Sequence, residues 1–184
     1  LSAASSFQIC AGIEVNNKAI EEAQANAQLN HITNCHFVAA SAEHIFDPEM
    51  MQPQPQEDAS SIDDNNNNTI TTTTTPTTTT NIINVQDFPR DQTVVVCDPP
   101  RKGCSPEFLE QLYRYAPQRI VYMSCDPATQ ARDAKGIVET GGYDIVSVQP
   151  FDLFPQTRHI ECLIVFEKRK DILIMNDHVK GGDR

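Results

Sequence analysis

Apolar residues recur along this chain at two alternating spacings. Residues 8–15 read as a strand, and Asn17 opens a helix to about Leu29, with Ile20, Ala23 and Ala27 returning at helical intervals. Residues 35–39 form a second short strand. Further on, residues 93–97 are a continuous apolar run, as expected of a strand covered on both faces. Ser105 and Pro106 supply an N-cap and a first-turn proline for a helix whose apolar face is Phe108, Leu109, Leu112 and Tyr115. Residues 119–124 are the next strand, and 127 to about 140 the next helix, closed by Gly141 and Gly142. The habit then changes. Residues 143–148 and 160–167 are two strands with no helix between them, joined by 149–159. Alternating strands and helices predict an α/β domain with a mainly parallel sheet and helices on both faces. The last two strands predict an antiparallel pair at its end.

The middle of the chain breaks this pattern. Residues 52–84 carry four acids, no bases, four consecutive asparagines (65–68) and a threonine tract interrupted by Pro76. Such a tract lacks the apolar groups needed to offset the entropy of ordering. It is expected to be a disordered insertion in a surface loop of one domain spanning 1–167, with 168–184 a tail. The flanks continue one alternating pattern, which a linker between two domains would not do.

Size and charge narrow the function classes. The chain has 184 residues, enough for one domain, and 39% of them are hydrophobic, enough for a core. Its 14 basic and 25 acidic residues give a net charge of −11. That is the wrong sign for gripping nucleic acid by bulk charge, though an enzyme touching RNA at one local site is compatible with it. No apolar run has the roughly 20 residues of a membrane span, and the opening residues do not resemble a signal peptide. The six cysteines include no C-x-x-C pair, and the closest, Cys97 and Cys104, are seven apart, which disfavours a zinc module. Most lie in strand-like runs as small hydrophobes, a usage that suits a reducing, intracellular compartment, whether cytoplasm, nucleus or organelle.

In open α/β sheets, ligands bind beyond the carboxyl ends of the strands, so the polar residues there carry the candidate chemistry. Glu14 ends the first strand, where an acid accepts hydrogen bonds from a ribose hydroxyl pair or simply favours a helix N-terminus. Asp98-Pro-Pro-Arg-Lys-Gly103 follows the third strand. Its two prolines stiffen the turn and hold Asp98 and Arg101 at the rim. Met123-Ser-Cys-Asp-Pro127 follows the fourth. Cys125 stands there at the rim beside a helix N-terminus, where a reactive thiolate is expected, or where a small residue fits a tight turn. Thr129 and Asp133 share a face of that helix by their spacing. The segment 149–161 gathers Asp152, Gln156, Thr157, Arg158, His159 and Glu161. Glu161 at the entrance of an apolar strand suits a proton acceptor, and His159 is the second candidate.

Together, Asp98-Pro-Pro-Arg-x-Gly103, Ser124-Cys-x-Pro127 with Thr129 and Arg132-Asp133, and Asp152-x-Phe-Pro-x-Thr-x-His-x-Glu161 closely resemble the RNA uracil-5-methyltransferase family. The likeness runs from about Gly12 to Phe166. It implies a class I S-adenosylmethionine-dependent methyltransferase fold, mostly parallel with an antiparallel C-terminal strand pair. By resemblance, Cys125 matches the nucleophile and Glu161, 36 residues later, the proton acceptor. Glu14 and Asp98 match cofactor-binding positions, as does Ser41 in the loop after the second strand. Arg101, Arg132, Asp133 and His159 match substrate-side or supporting positions. The implied cofactor is S-adenosyl-L-methionine, the implied partner is RNA (transfer RNA by family habit, ribosomal RNA as alternative), and no metal or membrane is implied. The glycine-rich loop and the N-terminal RNA-binding region of the family have no counterpart here, so the chain is expected to be the C-terminal catalytic part of a longer enzyme. Two rivals remain. Asp98-Pro-Pro100 also resembles the motif of amino-methyltransferases, although Arg101 stands where those need an aromatic residue. The other rival is a non-catalytic RNA-binding or assembly module.

Overall fold

The computed structural model describes residues 2–45 and 87–170; the 52–84 tract and the tail beyond 170 lie outside the described residues. The described residues fall into two compact units. One comprises those before Arg90 together with Ser105–Tyr115, and the other Arg90–Cys104 with those from Ala116 onward. Among the described residues, no helix is long and apolar enough to cross a membrane.

The first unit contains β1 (Cys10–Glu14), α1 (Asn17–Leu29), β2 (Cys35–Ala39) and α2 (Pro106–Tyr115). β1 and β2 pair in parallel, from Cys10 opposite Cys35 to Glu14 opposite Ala39. Gly12 is needed here because a Cβ would come within 2.7 Å of the Phe37 ring. Asn16 caps α1, its Oδ1 accepting from the backbone N–H of Lys18 at 3.0 Å and Ala19 at 3.4 Å. Ile20 and Ala27 form the buried stripe of that helix. Ser105 caps α2 by accepting from Phe108 N–H at 3.2 Å, and Phe108 and Leu112 are buried.

The second unit contains β3 (Val94–Cys97), β4 (Arg119–Ser124), α3 (Pro127–Glu139), β5 (Tyr143–Phe151) and β6 (Glu161–Lys168), with a four-stranded sheet in the order β3-β4-β6-β5. β3 and β4 run parallel, and β6 runs antiparallel to both β4 and β5. Period-two alternation sets the buried face: Ile120, Tyr122 and Ser124 of β4 stand opposite Phe166, Ile164 and Cys162 of β6, and all six are buried. Among the described residues the six strands therefore form two sheets, a pairing that periodicity alone does not specify. β5 also runs on to Phe151 instead of stopping near Val148. Pro150 is tolerated within it because β5 is an edge strand.

One buried carboxylate holds the Asp98–Cys104 turn to this unit. Asp133 of α3 is 2% exposed. Its Oδ2 accepts from the backbone N–H of Cys104 at 2.8 Å and from the Tyr122 hydroxyl at 2.7 Å. Its Oδ1 accepts from Arg132 Nε at 2.9 Å and Nη2 at 2.7 Å. Arg132 Nη2 also donates to Lys102 O at 2.9 Å, so the guanidinium spans from carboxylate to turn. Gly103 makes the approach possible. Its φ is +82°, and a Cβ there would lie 2.5 Å from both Arg132 Nη2 and Asp133 Oδ2.

Two predictions follow from this packing. Asp133→Ala orphans the Cys104 N–H and the Tyr122 hydroxyl, and calorimetry should read a loss of about 3–5 kcal/mol. Tyr122→Phe, which removes one donor and leaves the other three, should lose about 1–2 kcal/mol, and a loss equal to that of Asp133→Ala would contradict the hub. The second concerns alkali. Burial and the bond to Asp133 push the Tyr122 hydroxyl above its ordinary 10.0, and burial does the same for Tyr143. A raised folded pKa contributes stability that is complete below pH 10.0 and lost as pH climbs past it. The melting temperature should fall above that pH, with tyrosinate absorbance rising in step, and the Tyr122→Phe/Tyr143→Phe pair should flatten the fall.

Candidate active site

The second unit gathers most of the candidate chemistry. Cys125 follows the last residue of β4 and precedes α3, in a turn locked from both sides. Asp126 N–H donates to Ser124 Oγ at 3.0 Å, and that hydroxyl donates to Asp126 O at 3.1 Å. Asp126 then caps α3, its Oδ1 accepting from Ala128 N–H at 3.0 Å and Thr129 N–H at 3.2 Å. The half-buried Cys125 is thus carried between two residues whose side chains hold the turn.

Glu161 is the first residue of β6 and is half-buried. The β4–β6 ladder ends on the rung Ser124 opposite Cys162. Cys125 and Glu161 each stand one residue beyond that rung, at the same end of adjacent antiparallel strands. Successive rungs of such a pair keep opposed Cα atoms about 4.5–5.5 Å apart. The Cys125 thiol and the Glu161 carboxyl thus belong to the same end of these two strands.

The Asp98–Cys104 turn comes to the same end. Thr129 Oγ1 donates to Arg101 O at 2.9 Å, and Arg101 Nη2 donates to His159 Nδ1 at 3.0 Å. Guanidinium nitrogens only donate, so Nδ1 accepts and the imidazole proton sits on Nε2. His159 is exposed and lies two residues before Glu161, with Phe154 edge-on to its ring. Arg101 thus braces the segment that leads into Glu161, and Arg132 and Asp133 hold the turn from below. Asp98 is exposed at the carboxyl end of β3.

Cys97 and Cys104 bracket this turn and meet at its base. The Cys97 thiol, hydrogen-bonded to Cys104 and buried, is pushed well above the ordinary thiol range. The same bond, from the other side, lowers Cys104. Cys104 is only 8% exposed, however, and faces the interior, whereas Cys125 has access to a ligand at the rim. Among the described residues, no three metal-ligating side chains gather.

The first unit holds the two other candidates. Glu14 is exposed at the carboxyl end of β1, and its Oε1 accepts from Asn16 N–H at 2.9 Å. Ser41 caps the short turn Ala42–His44, its Oγ accepting from Glu43 N–H at 3.4 Å and bonding to the Glu43 carboxylate. Glu43 also accepts from Ser105 Oγ at 3.1 Å. Ser41 is therefore engaged in local capping.

Sequence reasoning missed Gln130. It lies in line with the buried Ala134 and Ile137 of α3, and a polar residue in a helix's apolar stripe is the signal that could have found it.

Comparison with known proteins bears on what this constellation is. The family model described as tRNA (uracil-5-)-methyltransferase matches residues 66–169. An uncharacterized RNA methyltransferase of Gloeobacter violaceus is 38% identical over 157 residues, 85% of this chain and 25% of that protein. One from Streptococcus pyogenes is 36% identical over 171 residues, 91% of this chain and 28% of that protein. The chain thus spans about a quarter of the length of the curated relatives it matches. Among solved structures, the Pyrococcus abyssi tRNA (uracil-54, C5)-methyltransferase, in complex with S-adenosyl-L-homocysteine, is 26% identical. Its TM-score is 0.59, covering 89% of this chain and 30% of that one. An rRNA methylase from Streptococcus thermophilus, 9% identical with a TM-score of 0.52 over 91% of this chain and 78% of that one, shares the fold. By the family model, with the Asp98–Gly103, Ser124–Pro127 and Asp152–Glu161 motifs inside its matched span, this chain belongs to the tRNA (uracil-5-)-methyltransferase family.

Proposed function

We propose that this chain carries the catalytic residues of an S-adenosylmethionine-dependent methyltransferase acting on C5 of a uridine in RNA, the T-loop uridine of transfer RNA being the preferred target. The observation that carries the proposal is the placement of Cys125 and Glu161 one residue beyond the last β4–β6 rung. The donor side is chemically consistent. Glu14 and Asp98 are exposed carboxylates at the carboxyl ends of parallel strands, suited to accepting from ribose and amino groups. Ser41, used as a cap, is the weaker candidate contact. When bound, S-adenosylmethionine supplies an electrophilic methyl group on a sulfonium.

C5 of uracil is a poor nucleophile, and the protein side chains answer that difficulty. The Cys125 thiolate adds to C6, so that a C6–S bond forms and the C5=C6 electrons move toward C5 and the O4 carbonyl. C5 is then nucleophilic enough to take the methyl group, the donor's C–S electron pair staying on sulfur. Glu161 removes the C5 proton, C5=C6 re-forms, and the C6–S bond breaks to return the Cys125 thiolate. Dividing one hard step into easier ones is the purpose of the covalent route. The target base must leave its stack to reach both groups. Arg101, through His159, steadies the segment carrying Glu161, and Asp133 with Arg132 steadies the turn carrying Arg101.

The test uses the full-length gene product, S-adenosylmethionine and transfer RNA containing 5-fluorouridine. Fluorine at C5 leaves no proton to remove, so an RNA-linked band should accumulate on a denaturing gel, depend on the donor and vanish in Cys125→Ala. A band that survives in Cys125→Ala sinks the covalent assignment. No band with transfer RNA, but one with ribosomal RNA, changes the substrate. No band with either, with donor binding intact, favours the non-catalytic module.

A further inference from the structure

We infer that Gln130 is a positioning residue for the proposed reaction, setting the start of the strand that carries Glu161 against the turn that carries Cys125. The inference rests on the covalent reading above and assigns a role to a residue that the motifs do not name. Gln130 lies in the first turns of α3 and is 1% exposed. Burying an amide is unfavourable unless its hydrogen-bonding groups are used. Here Nε2 donates to Tyr122 O at 3.0 Å and to Cys162 O at 2.9 Å. Both of its protons are therefore engaged, one on each of two neighbouring strands.

The places it ties are informative. Tyr122 lies on β4, three residues before Cys125, and Cys162 on β6 directly follows Glu161. A leucine or methionine would fill a similar volume in the stripe with Ala134 and Ile137 at no polar cost. What the amide adds is a joint between three elements: the helix that begins just after Cys125, the strand before Cys125, and the first residues of the strand led by Glu161. The Cys125 turn already has its own locks in Ser124 and Asp126. Ahead of Glu161, residues 152–160 are exposed throughout and are steadied by the exposed Arg101–His159 bond, whereas the Gln130 bond just after Glu161 is buried. Beside the ladder itself, the Gln130 bond to Cys162 O ties the nucleophile's helix directly to the strand of the base.

The consequence is specific to one step. If the Glu161 end drifts, Cys125 still adds and C5 still takes the methyl group, but removal of the C5 proton stalls. The methylated base then stays linked to Cys125. Gln130→Met, in the full-length gene product with unmethylated transfer RNA of ordinary uridine, should melt cooperatively and keep its KM for S-adenosylmethionine. Its kcat should drop on the order of 10²-fold, the effect of a displacement near 1 Å, and an RNA-linked band absent from the wild type should build up. A residue that merely fills the core would lower the melting temperature without that band. Turnover within about twofold of wild type, or a kcat loss with no band, overturns the inference. Should Gln130→Met not fold, Gln130→Asn, whose shorter amide cannot span both carbonyls, is read the same way. If neither folds, the amide serves the core alone and the inference fails. Cys125→Ala separates the two levels: product from that variant removes the covalent reading itself, whereas an inert Cys125→Ala beside a wild-type-like Gln130→Met removes only the positioning role.

Discussion

The arrangement depends on the buried carboxylate of Asp133. A charge placed in the interior is strongly unfavourable unless every lone pair has a donor. Asp133 meets that condition with a backbone N–H, a phenol and a two-point guanidinium contact, taken from a turn, a strand and its own helix. Because the charge stabilises only that one arrangement, it fixes the Asp98–Cys104 turn far more sharply than apolar packing would. Gly103 is the counterpart on the other side, the residue without a Cβ that lets the turn close down on the carboxylate and its arginine.

The first turns of α3 extend the same logic. Thr129 reaches the backbone of Arg101, Gln130 reaches β4 and β6, and Asp133 reaches Cys104 and Tyr122. Between them these polar side chains grip the Asp98–Cys104 turn, β4 and β6, while Ala134 and Ile137 further along supply ordinary apolar burial. A helix packed only by apolar contacts could slide with little penalty, whereas one held by directional bonds at its beginning cannot. The end of the sheet that carries Cys125, Glu161 and the Arg101–His159 pair is the part so held. The half-buried thiol and carboxylate stay accessible because the buried polar residues beneath them do the fixing.

Much of this was legible in the chain itself. α1, β2 and the start of α2 fall where apolar spacing and caps place them, because those signals are local: Asn16 and Ser105 act on N–H groups two or three residues away. The three motifs are local too, each a short run at the end of one strand. β5 runs past the expected end near Val148 and through Pro150, since a proline is forbidden or tolerated according to whether the strand has a neighbour on that side, and that is not a property of the strand's own residues.

By itself, then, the sequence determined the elements, their order, the residues offered at the strand ends and the family they spell out. Tertiary structure decided what those residues do for one another. No spacing rule joins Cys104 to Asp133, Arg101 to His159 or Gln130 to Cys162, which are separated by 29, 58 and 32 residues. The physical reason is that backbone conformation answers to neighbours within a few residues, while a hydrogen bond between distant side chains exists only once the sheet register has brought them within about 3 Å.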